Sequence, residues 1–488
     1  MESKKEVSRR SFLAFLGSGA AALAVSATGL DPLIGKAEAA SAKLSAPSAL
    51  PFPALQITSA DQLSIANGYK ADWLAAGTES GGRYISYWPG QTGNEGTLWV
   101  AHTDDAAVQS RGATIYKITR LDDSSAWTVS ESKRISTLDR IALTGPAKGS
   151  KAIHNATVAQ GLWSNGSGGR TPWGTVLAGE RTLDAGAAKA GLNPLSVGWM
   201  AEADPNDSLF STRKHTSLGR FDHGDAAIAL TRDRRVAVYM GSDRALFKYI
   251  SNGKYDPLLG KGNSALLEEG QLYAADLSGG RWIPLTAKSA RAKLSNPAFR
   301  MPIGVDPLRE DLLKALQSEA DVLAYAQETA LVLGATALDQ SAGIAIHPAD
   351  GSVFISQTGS AASGNGFGTV LRLVESGHDA GADTFESDLT VAGGRQAGFS
   401  SPDGVAFDSA GRLWLSSRMP AERLNNGAYA PFGNNGLYVL TASGASFAKA
   451  EPFAIAPVKG ALSAPAFGPD GTLFASIAGK GVVAIRKA

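Results

Sequence analysis

The chain contains no cysteine. That excludes disulfides, thiolate metal ligands and a lipid-modified cysteine anchor. Surplus charge is also lacking: 46 Lys and Arg face 45 Asp and Glu over 488 residues, a formal net charge of +1. Neither a basic face for nucleic acid nor an acidic tail follows from that balance. A P-loop, a dinucleotide-binding glycine fingerprint and a zinc motif are missing as well. Asn165-Gly-Ser-Gly-Gly169 superficially suggests a nucleophile elbow, but it is not set between a strand and a helix. Glycine is abundant, with 56 residues beside 22 prolines. So many turn formers favour an all-β fold over a helical one.

The N-terminus reads as an address. Lys4 and Lys5 lead into Ser8-Arg9-Arg10-Ser11-Phe12-Leu13, a twin-arginine pattern, followed by an apolar run from Ala14 to Ala27. Ala37-Glu38-Ala39 has the small-x-small form of a cleavage site. The run is short against the roughly 20 residues of a membrane span. Residues 1–39 are therefore expected to be a signal peptide for the twin-arginine translocase, cleaved near Ala39 or Ala40. The mature protein would be periplasmic or secreted, with no stable membrane anchor. Residues 40–53 are expected to form a flexible leader and residues 54–488 the folded domain.

The C-terminal third repeats. Asp350-Gly-Ser-Val-Phe-Ile-Ser356, Ala410-Gly-Arg-Leu-Trp-Leu-Ser416 and Asp470-Gly-Thr-Leu-Phe-Ala-Ser476 recur every 60 residues. Each gives a turn and then a strand, and each follows a short apolar strand such as Gly343–His347 or Gly404–Asp408. Strand, turn and strand at a fixed period is the pattern of β-propeller blades. Weaker copies stand at Ala226–Tyr239 and Glu95–Val100. The period exceeds the usual blade length of about 40–50 residues, which predicts long loops at the channel mouth. One stretch breaks the β pattern: from Pro307 to about Leu333, Leu308, Leu312, Leu316, Ala320 and Leu323 fall at helical spacing. It is expected to form one or two helices inserted between blades.

Asn165-Gly-Ser-Gly-Gly-Arg-Thr-Pro-Trp-Gly-Thr175, with Glu180 shortly after, resembles the signature loop of the PhoX-type alkaline phosphatases. Ordered matches continue through Ala142–Gly149, Leu218–His223, Leu267–Tyr273, Leu333–Asp339 and Ser400–Gly404. The resemblance implies a propeller of six blades. It also implies a cluster of iron and calcium ions in the channel that hydrolyses phosphate monoesters. Such hard cations require several oxygen ligands. Yet where that family has a cysteine ligand this chain has Gly166, and Gly224 replaces a glutamate. Gln340-Ser-Ala-Gly343 stands for Arg-Pro-Glu-Asp, and Ala461-Leu462 for Ala-Glu.

The positions that remain are Asn165, Glu180, His223 and Asp403, with His102 a weaker match. Glu180, His223 and Arg181 are the catalytic candidates, Asn165 and Arg181 the substrate-binding ones, and Glu180 and Asp403 the metal candidates. Each has a blander alternative: a solvated loop acid at Glu180, a structural histidine at His223, and a turn former at Asp403. Asp225 lies one residue past the lost glutamate, and a one-residue shift on a strand turns the side chain to the other face. That argues against it. Calcium remains a candidate cofactor, and the losses weigh against an iron cluster. Two readings stay open: a phosphoester hydrolase with a remodelled site, or a non-catalytic propeller that binds a small ligand or a partner.

Overall fold

The computed structural model describes residues 50, 52–77, 82–103, 111–182, 191–360, 363–443, 447–468 and 470–488. The expected signal peptide and most of the expected leader lie outside them. Six sheets follow one another around a central channel. Their inner strands are Tyr84–Pro89, Ser164–Arg170, His223–Leu230, Ser341–Ile346, Pro402–Phe407 and Ala466–Phe467, which head blades one to six. The sixth blade is completed by Tyr69–Ala76, from the other end of the chain, pairing with Gly481–Lys487. Hydrogen bonds between the two ends thus close the ring, which leaves no gap between first and last blade.

Period-two alternation explains the packing. In blade four, Val353 and Ile355 face blade three while Phe354 faces blade five. In blade one, Trp99 packs towards blade two, and Leu98 and Val100 towards blade six. Every blade is apolar on both faces because each is sandwiched between two others. Gly351, Gly411 and Gly471 occupy equivalent turns between the first and second strands of blades four to six, with φ of 71°, 74° and 79°. The repeat read from sequence is the blade repeat.

Two boundaries differ from expectation. Phe52 is buried against Trp414 and Phe453, so the folded domain starts before residue 54. The helical insertion is also longer than its leucine spacing indicated. It consists of α1 (Ala287–Ser295), α2 (Arg309–Ala315), α3 (Glu319–Ala324) and α4 (Ala326–Leu333). The first was overlooked because Ala287, Ala290 and Leu294 are its sole buried residues. A Ser318–Asp321 capping box starts α3, and Gly334 in the left-handed region ends α4. Leu312, Leu316, Val322 and Ala330 pack with Phe221 and Phe247 of blade three, which anchors the insertion.

The feature that shapes the channel is a belt of bulges. Four inner strands each carry two residues that skip the ladder: Asn165-Gly166, Gly224-Asp225, Ala342-Gly343 and Asp403-Gly404. A bulge frees an amide from its partner and re-aims side chains. In blades four and five the serine that ends the repeat takes up that amide. Ser356 Oγ accepts from Gly343 at 2.8 Å, and Ser416 Oγ accepts from Gly404 at 2.9 Å. Ser416→Ala should therefore strand a buried donor and cost about 1–3 kcal/mol. Urea denaturation should show a lower midpoint with an unchanged slope, and an unaltered midpoint would contradict the latch.

Candidate functional site

The bulge belt floors a chamber of about 500 Å³ at one end of the channel. Asn165, Gly166, Gly224, Asp225, Asp403 and Gly404 line it, together with Arg181, Asp243, Arg418 and Arg423. At its centre Asp403 is held by two guanidiniums. Arg83 Nη2 donates to Oδ1 in a short contact, and Arg418 Nε donates to Oδ2 at 2.7 Å. Burial alone would raise this carboxyl, but the two cations hold it at about 2. Arg418 Nη2 is buried and has no hydrogen-bond partner. Arg181 and Arg423 form no salt bridge among the described residues.

Asp225 behaves in the opposite way. Burial pushes its carboxyl up to about 8, although the Gly168 amide donates to it at 3.1 Å. Burial likewise raises Asp243, with Asp222 adding to the effect. Near neutral pH Asp225 is thus an uncharged acid, and the four guanidiniums of the chamber outweigh its ionised carboxylates. Guanidiniums with free donors in a partly desolvated site are suited to bidentate recognition of an oxyanion.

The residues singled out from sequence are scattered by the fold. Asn165 reaches the chamber, but its Nδ2 donates to the His223 carbonyl at 2.7 Å, and Ser167 Oγ donates to the same oxygen at 2.8 Å. Together they clamp the bulge that carries Asp225. Arg181 lines the chamber. Glu180 does not reach it. It is wholly buried, pairs with Lys214 at 2.8 Å and accepts the amides of Trp163 and Trp199, so it ties blade two together. His223 is also buried outside the chamber, its ring tilted against Phe221 and its Nε2 donating to the Gly219 carbonyl. Burial lowers it to about 3, which removes it as an acid or base near neutrality. His102 is a structural partner of Thr114.

Asp225 corrects the strand argument made against it. The alternation rule fails there because the bulge between His223 and Ala226 breaks the pairing. Arg83, Arg418 and Arg423 carried no sequence signal. They come from the first and fifth blades and meet solely through closure of the ring.

The glycines of the signature serve the scaffold. A Cβ on Gly169 would lie 2.1 Å from the Ala226 carbonyl oxygen, and one on Gly168 2.7 Å from Tyr84. Trp173 Nε1 donates to buried Glu202 at 2.7 Å, fixing the exit of the strand. The sequence profile of alkaline phosphatase PhoX matches residues 52–481. The chain belongs to the PhoX family. The PhoX of Pseudomonas fluorescens, solved with vanadate as a transition-state analogue, shares its fold at a TM-score of 0.73 and 22% identity. That alignment covers 90% of this chain and 98% of the other. A Trichoderma reesei carbohydrate-active enzyme of family AA12 aligns over 89% of this chain and all of its own, at a TM-score of 0.37 and 12% identity. No curated protein matches in sequence.

Three ligand positions implied by the PhoX resemblance are glycines closed in by neighbours. A Cβ on Gly166, whose φ is +66°, would stand 2.3 Å from Thr103 Cγ2 and 2.8 Å from Arg83 Cβ. At Gly224 it would meet the Ser341 carbonyl at 2.7 Å, and at Gly343 the Asp403 carbonyl at 2.5 Å. The pH dependence of stability follows from Asp225. Its folded pKa of about 8 lies above the ordinary 3.8. The native state therefore holds an extra proton between those values, and stability falls as pH rises through that window. Asp225→Asn should remove this dependence. In urea denaturation from pH 4 to 9 the variant should gain on the parent as pH rises to about 8, and a constant difference would contradict the burial of an uncharged Asp225.

Proposed function

We propose that this protein is an exported PhoX-family propeller whose channel binds an anion of the phosphate-ester class through guanidinium groups. In this reading it has given up hydrolysis by a metal cluster. The observation that carries the reading is Arg83. Its Cβ and Cγ, with Thr103, close the space beside Gly166, and its guanidinium pairs with Asp403, so one expected ligand position is blocked and an expected metal-binding carboxylate is taken by a cation of the protein itself.

The residues present do not fit a cluster of hard cations. Asp403 is already neutralised by two arginines, Asp225 is protonated near neutrality, and Glu180 is spent on Lys214. Among the described residues no group of three or more His, Asp or Glu is disposed to hold a metal ion. Bringing several cations beside four guanidiniums would leave their charge uncompensated in a medium of low dielectric.

Mature protein should bind inorganic phosphate or a phosphomonoester without calcium-dependent turnover. Arg418→Gln removes a charged donor set worth roughly 1.5–3 kcal/mol and should weaken phosphate binding about tenfold or more. Calorimetric titration, metal analysis and a phosphomonoester assay with and without calcium check this together. Tightly held metal with calcium-dependent turnover that is lost in Asp225→Asn would favour the hydrolase reading instead.

Export rests on the Arg9-Arg10 pair, the apolar run after it and Ala37-Glu38-Ala39. Among the described residues no helix is long and apolar enough to cross a membrane. Replacing Arg9 and Arg10 by lysine should leave uncleaved precursor in the cytoplasm, as cell fractionation would show. Unchanged export would overturn the twin-arginine assignment.

A further inference from the structure

Below the bulge belt the channel opens into a second chamber of about 410 Å³, and Arg83 and Asp225 line both spaces. Its walls are the lower halves of the inner strands, and their chemistry is different. Ile228, Ile344, Ile346, Val405, Phe407 and Phe467 present an apolar surface contributed by four blades. Among them stands a second cation besides Arg83, which is already paired with Asp403. Arg170 lies over the Trp88 ring, 4.8 Å from its centroid, and Nη1 donates to the Tyr87 carbonyl at 2.7 Å. No carboxylate pairs with Arg170 among the described residues; the residue is exposed, and the partial desolvation of its guanidinium disfavours the charge. Tyr84 and Ser86, whose hydroxyls are 2.7 Å apart, add polar groups to the same wall.

We propose that this chamber is a second binding site, for a small organic acid with an apolar body. A concave space of a few hundred Å³, in which apolar side chains and polar groups share the lining about equally, can take a ligand that has both an apolar and a charged part. An uncompensated guanidinium in such surroundings favours an anion, and its planar fork matches a carboxylate. An inorganic anion would leave the isoleucine and phenylalanine surface wet, and an uncharged amphiphile would leave Arg170 without a counter-charge. A medium-chain carboxylate satisfies both.

This inference is independent of the arginine chamber above, and its test keeps the two apart. Mature protein is titrated with octanoate by calorimetry, with octan-1-ol and inorganic phosphate as comparisons. Octanoate should bind saturably, and octan-1-ol and phosphate at least tenfold more weakly at this site. Arg170→Gln should weaken octanoate at least tenfold. Ala406→Phe, which fills the chamber without touching the Arg170 contacts with Tyr87 and Trp88, should do the same. Arg418→Gln should leave octanoate binding unchanged. Thermal unfolding of each variant identifies any that fails to fold, and Ala406→Phe keeps the test decisive if Arg170→Gln does. Absence of saturable binding, equal binding of octan-1-ol, or loss of octanoate binding in Arg418→Gln would overturn the proposal.

Discussion

The close approach of neighbouring inner strands governs what this channel can hold. Around the bulge belt the backbones come so near that Gly168, Gly169, Gly224 and Gly343 have no room for a side chain without displacing a neighbour's atoms. Such contact is tolerable because the bulged amides find partners in the repeat serines and because Asn165 and Ser167 hold the His223 carbonyl. A belt packed in this way has few positions from which a side chain can enter the channel. Asp225 and Asp403 occupy two of them, and their surroundings push their protonation in opposite directions.

That divergence comes from the distribution of arginines. Asp403 is hydrogen-bonded by two guanidiniums, whereas Asp225 receives one backbone amide, lies near Asp403 and is influenced by Arg83 without a bond to it. A buried carboxylate with no cation bonded to it takes up a proton, since desolvation of its charge costs more than the proton. The same rule organises the structural network of blade two. Glu202, where burial would raise the carboxyl, is held below its ordinary value by His215, Ser264 and Thr175. Carboxylates thus serve the scaffold in this protein wherever donors surround them. Of those that line the upper chamber, Asp403 is neutralised by two arginines and Asp225 is protonated near neutrality.

Much of the architecture was legible in the sequence, and the reason is local. The glycine at each Asp/Ala-Gly turn, the apolar alternation and the terminal serine are short-range features, repeated because each blade meets the same neighbours. The α1 helix was not legible, since Ala287, Ala290 and Leu294 make too narrow an apolar stripe. The site was legible in part. The vacancies at Gly166 and Gly224 could be seen, but their being closed by Thr103, Arg83 and Ser341 could not. Glu180 kept its family position while being turned to Lys214, because position along a strand does not reveal what packs against it.

The sequence by itself carried the propeller repeat, written in a fixed period and in neighbouring residues, and a resemblance to the PhoX family that implied six blades. Tertiary structure alone decided which charges meet. Arg83 and Arg418 are separated by most of the chain, and ring closure brings them to one carboxylate. The exposure of Asp225 to both chambers depends on a bulge whose register is set by its pairing strand. Electrostatics at such a site depends on distance and burial, and neither is encoded in residue order.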